Sequence, residues 1–220
     1  MSKLRLRFSK TGRIKYISHL DLMRTMKRAF IRAGVKLRYK EGFNPHPYMA
    51  FALPLPVGCE SMCEIMDFEL EDGVAFENLP EQLSGALPEG IAISAPYIAE
   101  QKASAIAWIE ISGRMNYMDG VPDGAEDRLA EYFTADSIII PKKTKRGMAD
   151  LDIIPCISGI RFEAAGKNLL KMSAMISAQD PSLNPENIIT AIKRDLPELA
   201  PDLTEFRRIE IYNGELSIFR

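Results

Sequence analysis

The segment 42–48 carries the side chains best suited to holding an unpaired nucleotide. His46 stands there between two prolines, which keep the backbone extended and give the imidazole a fixed direction. Phe43 and Tyr48 offer rings on which a base can stack, and Asn44 offers an amide for hydrogen bonds to a base edge. These residue types predict a nucleotide-binding loop. A surface loop that His46 only braces by a local hydrogen bond is the alternative.

Basic residues are concentrated in the same part of the chain. Residues 1–50 contain 13 lysines and arginines and two acidic residues, a formal charge of +11, whereas the rest of the chain carries −13. Such asymmetry predicts a polyanion-binding face, and neutralisation of one half by the other in the fold is the alternative. The cations expected to neutralise phosphates here are Lys10, Arg13, Lys15, Arg24 and Lys40.

A second basic island lies in the acidic part of the chain. Four cations fall within five residues directly after a predicted strand: Lys142, Lys143, Lys145 and Arg146. We expect them to contact phosphates as well, because they occupy the same place in the second half of the pattern as the proline-rich loop does in the first. An ordinary solvated hairpin tip is the alternative interpretation.

The two histidines of the chain suggest a second kind of chemistry. His19 and His46 could act as general base and general acid in RNA cleavage, with lysine or arginine stabilising the charged phosphorane. This predicts a metal-independent ribonuclease as an alternative to binding alone. Residue types do not place two rings across one phosphate, however, and His19 stands at a predicted helix start, where local packing is the simpler interpretation.

Metal and cofactor chemistry is not predicted. A zinc site built from His19, His46, Cys59 and Cys63 matches no zinc spacing, and the two cysteines are expected to be small buried apolar groups. Their spacing resembles the start of an iron–sulfur CxxxCxxC motif, but Met66 stands where the third cysteine belongs. The sequence has no P-loop, HExxH or GxSxG motif. We therefore assign no cofactor, no metal and no catalytic residue.

Length and composition describe an ordinary globular chain. It has 220 residues, 46% hydrophobic and 26% charged, and is too apolar for a disordered protein. No apolar run approaches the roughly 18 residues that span a bilayer, and the alternating charges of residues 1–7 are not typical of a signal peptide. Three cysteines make no disulfide framework, so we expect a cytoplasmic protein in a reducing environment.

The elements that must position these side chains follow a twofold pattern. Leu4, Leu6 and Phe8 alternate on one strand face, and Ser18 begins a helix that Gly34 ends. In the first half the predicted strands are 3–9, 35–39, 63–70 and 91–98, and the predicted helices are 18–33 and 76–87. In the second half the strands are 105–112, 137–141, 169–176 and 206–212, with an added edge at 216–219, and the helices are 124–133 and 185–196.

This order predicts an α+β protein made of two tandem ferredoxin-like units. Each unit is expected to run β-α-β-β-α-β, with an insert between its second and third strands. The first unit covers 1–99 and has a basic surface and a proline-rich insert. The second covers 105–220 and has a basic insert at 142–160.

Several runs of residues resemble one bacterial family. They are F-S-K-x-G at 8–12, Y-I-S-H-L-D-L-M-R at 16–24, G-F-N-P-H-P at 42–47, F-A-L-P-L-P-V-G-C-E-S at 51–61 and the segment 142–154. Through them essentially the whole chain is similar to the radical-SAM-linked or radical-SAM-associated family, a domain of unknown function. The resemblance implies a radical-SAM protein as partner. The architecture is also similar to that of the tandem ferredoxin-like RAMP proteins that bind and process CRISPR RNA, a similarity that transfers no activity.

Together, these observations predict an RNA-binding accessory subunit that presents tRNA or rRNA to a radical-SAM partner for modification. The partner would supply the iron–sulfur cluster and the radical chemistry, whereas this chain would bind the substrate. Two alternatives stay open. One is the RAMP-type ribonuclease that uses His46 and His19, and the other is a docking module whose basic helix 18–33 binds an acidic surface of the partner without contacting RNA.

Overall fold

The chain folds as an α+β protein, seen here in a computed structural model that describes residues 4–144 and 147–220. These residues form two compact units: the described residues up to Ala105 together with Phe219–Arg220, and Ile106–Ile218. In the described part of the chain, no helix is long and apolar enough to cross a membrane.

The first unit contains four strands and two helices. In chain order they are β1 (Leu4–Lys10), α1 (His19–Arg32), β2 (Met49–Phe51), β3 (Glu60–Phe68), α2 (Leu79–Ser84) and β4 (Ile91–Ile98). The strands lie in the order β4-β1-β3-β2 and pair antiparallel. A short 3-10 turn, Gly12–Tyr16, connects β1 to α1.

The core of the first unit lies between its sheet and its helices. Leu4, Leu6 and Phe8 are buried there, as their alternation predicts, together with Met66 and Phe68 of β3. The apolar stripe of α1 covers them with Leu22, Met26, Ala29 and Phe30. Arg5 of β1 pairs with Asp67 of β3 and with Tyr97 of β4. Because successive strand residues point to opposite faces, these three residues belong to the face of the sheet away from this core.

Helix α1 begins and ends where the sequence predicts. The Ser18 hydroxyl accepts a hydrogen bond from the Asp21 N–H at 3.1 Å, which satisfies one of the free amide groups of the first turn. At the other end, Gly34 adopts a φ of +72°. The amides of Gly34 and Val35 donate to the carbonyls of Ile31 and Phe30, which is a Schellman termination.

We expect Ser18→Ala to lower the free energy of unfolding by about 1 kcal/mol, because the Asp21 amide loses its acceptor. The Ser18 hydroxyl and Arg24 also hold the pKa of Asp21 below its ordinary value, so this pKa should rise in the variant. Urea denaturation and NMR titration measure the two effects. Ser84→Ala, which removes a hydroxyl bonded to the Glu81 carbonyl near the end of α2, is the matched control and should change stability by less than about 0.5 kcal/mol.

The second unit has six strands and two helices among the described residues. They are β5 (Ile106–Asn116), α3 (Ala125–Tyr132), β6 (Ile139–Thr144), β7 (Gly147–Asp152), β8 (Ile157–Ala164), β9 (Leu169–Ser177), α4 (Pro185–Asp195) and β10 (Leu203–Asn213). Four strands lie in the order β10-β5-β9-β8 and pair antiparallel. Strands β6 and β7 form a separate two-stranded hairpin.

The second strand of each unit lies later in the chain than predicted. The segment 35–39 makes only isolated bridges, at Leu37 and Tyr39, and the strand that pairs with β3 is β2, inside the expected proline-rich insert. In the second unit, 137–141 enters the β6–β7 hairpin, and β8 is the strand beside β9. Each excursion therefore precedes the second strand instead of following it. Short apolar runs look alike in the sequence, and long-range pairing decides which of them joins the sheet.

Candidate nucleic-acid interface

The predicted nucleotide-binding loop is the tip of a narrow hairpin. The Lys40 N–H donates to the His46 carbonyl and the Tyr48 N–H donates to the Arg38 carbonyl, both at 2.9 Å. The Glu69 N–H in turn donates to the Tyr48 carbonyl at 3.0 Å, which ties the hairpin to the end of β3. These bonds hold the residues around the tip in a defined arrangement.

Two cations lie against the ring of Tyr48. The Arg38 guanidinium is 5.8 Å and the Lys40 ammonium 5.5 Å from the centre of the ring, and the Lys27 ammonium of α1 is 5.4 Å from the ring of Tyr39. Such contacts are favourable because the negative face of an aromatic ring attracts a cation. Neither Arg38 nor Lys27 is among the site residues predicted from the sequence. One sequence signal could have identified Arg38. The alternation of Lys36, Arg38 and Lys40 places three cations on one side of an extended segment.

The tip itself is open to solvent. Phe43 is fully exposed and Asn44 and His46 are exposed as well. His46 Nδ1 lies 3.1 Å from the Asn44 carbonyl oxygen. A carbonyl can only accept, so this bond requires the hydrogen on Nδ1 and leaves Nε2 directed elsewhere. The loop therefore contains both the local hydrogen bond predicted for His46 and the ring of Phe43, which is open for stacking.

A cavity of about 270 Å³ opens beside the hairpin. It is lined by Lys40 and His46 of the hairpin, by Asp67 and Glu69 at the end of β3, and by the ring of Tyr48. Asp67 is engaged by the buried guanidinium of Arg5 at 2.6 and 3.1 Å. Asp67 and Glu69 alternate with Phe68 of the core, so this part of the lining lies on the helix-free face of the sheet.

Lys10 is not a surface cation. It is only 2% exposed, and its ammonium donates to the carbonyls of Lys15 at 3.1 Å and Ile17 at 3.3 Å. Burial lowers its pKa, and nearby Glu64, itself 2% exposed, opposes that shift. This corrects the prediction that Lys10 faces phosphates: Lys10 shares the buried face of β1 with Phe8, two residues before it, and the loop that leads into α1 covers it there.

The other predicted cations of the first unit lie away from the cavity lining. Arg13 is exposed on the 3-10 turn, and the half-buried Lys15 places its ammonium 5.4 Å from the ring of Tyr16. Arg24 is exposed on α1 and bonds to Asp21 at 3.0 Å. Of the predicted phosphate-binding residues in this unit, the structure therefore brings Lys40 alone to the cavity, beside the predicted His46 and Tyr48.

The two histidines have different partners. The ring of His19 meets Phe51 edge-on, with 5.3 Å between ring centres, whereas His46 contacts the Asn44 carbonyl. Within residues 4–144 and 147–220, no described contact joins the two imidazoles. The local packing interpretation of His19 is therefore what the structure shows.

The second basic island is described only in part. The Lys142 ammonium donates to the Ser182 carbonyl, so this cation is held by the fold of the second unit. Lys143 lies in β6 opposite Met148. The predicted contacts of Lys145 and Arg146 lie outside the described residues. Cys59 and Cys63 are buried, as the sequence predicts.

Two of the segments that carry the family resemblance, 8–12 and 51–61, contact each other in the first unit. The Gly12 N–H donates to Glu60 Oε1 at 2.8 Å, and the Gly58 N–H donates to the Lys15 carbonyl at 2.9 Å. Residues 3–185 match the family described as an uncharacterized protein conserved in bacteria (DUF2344). The chain belongs to this family. In this DUF2344 protein, the two backbone amide bonds thus connect the turn between β1 and α1 to the segment before and at the start of β3.

Solved structures show a likeness in fold to this DUF2344 protein. One is a chain of a Cbf5-Nop10-Gar1 complex, with 11% identity and a TM-score of 0.50 over 94% of this chain. The match covers 48% of that chain, so the DUF2344 chain spans about half its length. Another is an unknown protein from Galdieria sulphuraria, with 13% identity, 94% of this chain and 98% of that chain covered, and a TM-score of 0.26. Comparison with curated proteins gave no match.

Proposed function

We propose that this DUF2344 protein is an RNA-binding accessory subunit that presents an unpaired nucleotide to a radical-SAM partner. The observation that carries the proposal is the hairpin: Arg38 and Lys40 lie against Tyr48, and the fully exposed Phe43 stands at the tip. Proteins that bind single-stranded nucleic acid combine cations that follow the backbone with rings on which bases stack. This hairpin offers both within eleven residues.

The arrangement of strands supports the same proposal. Strand orders β4-β1-β3-β2 and β10-β5-β9-β8 fit two ferredoxin-like units of the split β-α-β plan, with the excursions moved ahead of the second strands. In RNA-recognition modules of this plan, the open face of the sheet binds unpaired bases. Part of the lining of the cavity belongs to the corresponding face of the first unit. This support is an analogy of architecture, and the binding chemistry rests on the hairpin.

The radical-SAM partner follows from the resemblance of the sequence motifs. The sequence has Met66 where a cluster-binding CxxxCxxC motif needs its third cysteine, so the partner would hold the iron–sulfur cluster. The cofactor then supplies the radical chemistry, and the protein chain supplies binding and orientation. The substrate class we propose is a structured RNA with an unpaired nucleotide, such as tRNA or rRNA.

A double substitution tests the RNA-binding hairpin. We expect Arg38→Gln with Lys40→Gln to weaken binding to a single-stranded RNA at least tenfold, because two cations beside the stacking ring are removed. The slope of log affinity against log salt should become shallower by roughly 0.7 for each of the two cations that contacts a phosphate. Fluorescence anisotropy at several salt concentrations measures both quantities.

The matched control removes the same charge elsewhere. Lys167→Gln with Lys193→Gln changes two exposed lysines of the second unit. This variant should keep the affinity within twofold of the wild type and leave the salt slope unchanged. Equal losses in both double variants would show that net charge alone drives binding and would contradict the hairpin site. Absence of any salt-sensitive RNA binding by the wild type would overturn the proposed function.

A further inference from the structure

The cavity beside the hairpin has a size and a charge pattern that select one kind of base. Its volume of about 270 Å³ lies just below the roughly 300–1,000 Å³ of sites for drug-sized ligands, which suits a single nucleobase. Opposite charges line this space from two elements, Lys40 from the hairpin and Glu69 from the end of β3. A ligand that fills it must therefore present hydrogen-bond donors on one edge and acceptors on another.

Of the two carboxylates that line the cavity, Glu69 is the less engaged one. The two oxygens of Asp67 are already engaged by Arg5, at 2.6 and 3.1 Å. The Glu69 carboxylate lies 3.6 Å from the Arg38 guanidinium, which is beyond hydrogen-bond distance. An ionised carboxylate has about four lone-pair positions, so Glu69 keeps the capacity to accept two parallel N–H bonds.

We propose, on the basis of the proposed function, that this cavity is a guanine-selective subsite for the unpaired nucleotide. Guanine places the adjacent N1–H and N2–H donors on its Watson–Crick edge, where one carboxylate can accept both. Its O6 and N7 acceptors suit a lysine, the position that Lys40 takes in the cavity. Adenine presents an amino group in place of O6 and an acceptor in place of N1–H, so both contacts become unfavourable. The ring of Tyr48 gives the base an apolar wall.

Oligonucleotides that differ at one base test this subsite. We would measure the affinity of eleven-residue oligouridine RNAs whose central position is guanine, hypoxanthine or adenine. The guanine oligonucleotide should bind about tenfold more tightly than the adenine one, as expected for one bidentate contact. The hypoxanthine oligonucleotide should lie between them, because it keeps N1–H and O6 but lacks the N2 amino group.

Glu69→Gln assigns the preference to the carboxylate. The substitution is nearly isosteric and leaves the backbone bond of Glu69 to Tyr48 in place, so the variant should fold. We expect its guanine-to-adenine affinity ratio to fall to within about twofold of one, with binding to plain oligouridine kept. The matched control is Glu71→Gln, which makes the same charge change at an exposed residue outside the cavity lining and should keep the tenfold ratio.

A parallel titration with free GMP and AMP separates the possible failures. Oligonucleotide binding with no base preference and no discrimination of GMP from AMP would overturn the guanine subsite and leave the RNA-binding proposal standing. If the protein prefers GMP to AMP but does not bind the oligonucleotides, the guanine subsite is supported and RNA is overturned as the source of the guanine. Binding of neither kind of ligand would overturn both proposals.

Discussion

Replacing Lys10 by methionine is expected to lower the free energy of unfolding by about 3 kcal/mol or more. The buried ammonium donates to the carbonyls of Lys15 and Ile17, and removing a buried partner leaves those groups with their desolvation cost. That cost is about 1–3 kcal/mol for each group left unsatisfied, and the buried carboxylate of Glu64 also loses the attraction of a nearby cation. Chemical denaturation followed by circular dichroism measures the loss.

The pH dependence of this stability has a defined sign. Because burial lowers the folded-state pKa of Lys10 below 10.5, the unfolded chain binds this proton more strongly than the folded chain. Stability contributed by this group therefore rises as pH increases through the interval just below 10.5. Lys10→Met lacks the group, so the stability difference between wild type and variant should widen over that interval.

Lys40→Met is the control for a surface lysine. Its ammonium is exposed beside Tyr48, so the substitution should change stability by less than about 0.5 kcal/mol while weakening RNA binding. The two lysines thus separate a folding role from a binding role. Equal denaturation midpoints for Lys10→Met and the wild type would contradict the buried position of Lys10.

Gly90→Ala is expected to destabilise the first unit by about 3 kcal/mol or more. Gly90 has a φ of +91°, and an added Cβ would lie 2.3 Å from the Thr11 carbonyl oxygen and 2.9 Å from Ile14 Cγ2. The Thr11 N–H donates to the Gly90 carbonyl at 2.8 Å, so the backbone at Gly90 cannot move away from Thr11 without losing that hydrogen bond. Left-handed strain costs about 1–2 kcal/mol, and forcing atoms into a packed site adds about 1–3 kcal/mol.

Gly73→Ala isolates the close approach from the backbone strain. Gly73 has a similar φ of +82° with nothing within 4 Å of the added Cβ, so only the strain of about 1–2 kcal/mol applies. The difference between the two variants, measured by thermal or urea unfolding, reports the contact between Gly90 and Thr11. Identical losses would show that this contact does not restrict the residue.

Local features of the first unit could be predicted from the sequence because their causes are local. Ser18 and Gly34 determine the ends of α1 through hydrogen bonds that span at most five residues. The alternation of Leu4, Leu6 and Phe8 determines which face of β1 is buried, since a strand repeats every two residues. The proline-braced hairpin tip with its exposed ring belongs to the same class, because proline restricts the backbone wherever it occurs.

Tertiary structure alone decided the features that depend on distant partners. The pairing of β2 with β3 and of β8 with β9 depends on residues brought together by the whole sheet, so short apolar runs were assigned to the wrong strands. Lys10 has the side chain of a surface cation, although it shares the buried face of β1 with Phe8, and only the tertiary structure brings the loop before α1 over it to accept its hydrogen bonds. The cavity joins Lys40 to Glu69 across 29 positions of sequence, a distance over which residue type and spacing carry no information about contact.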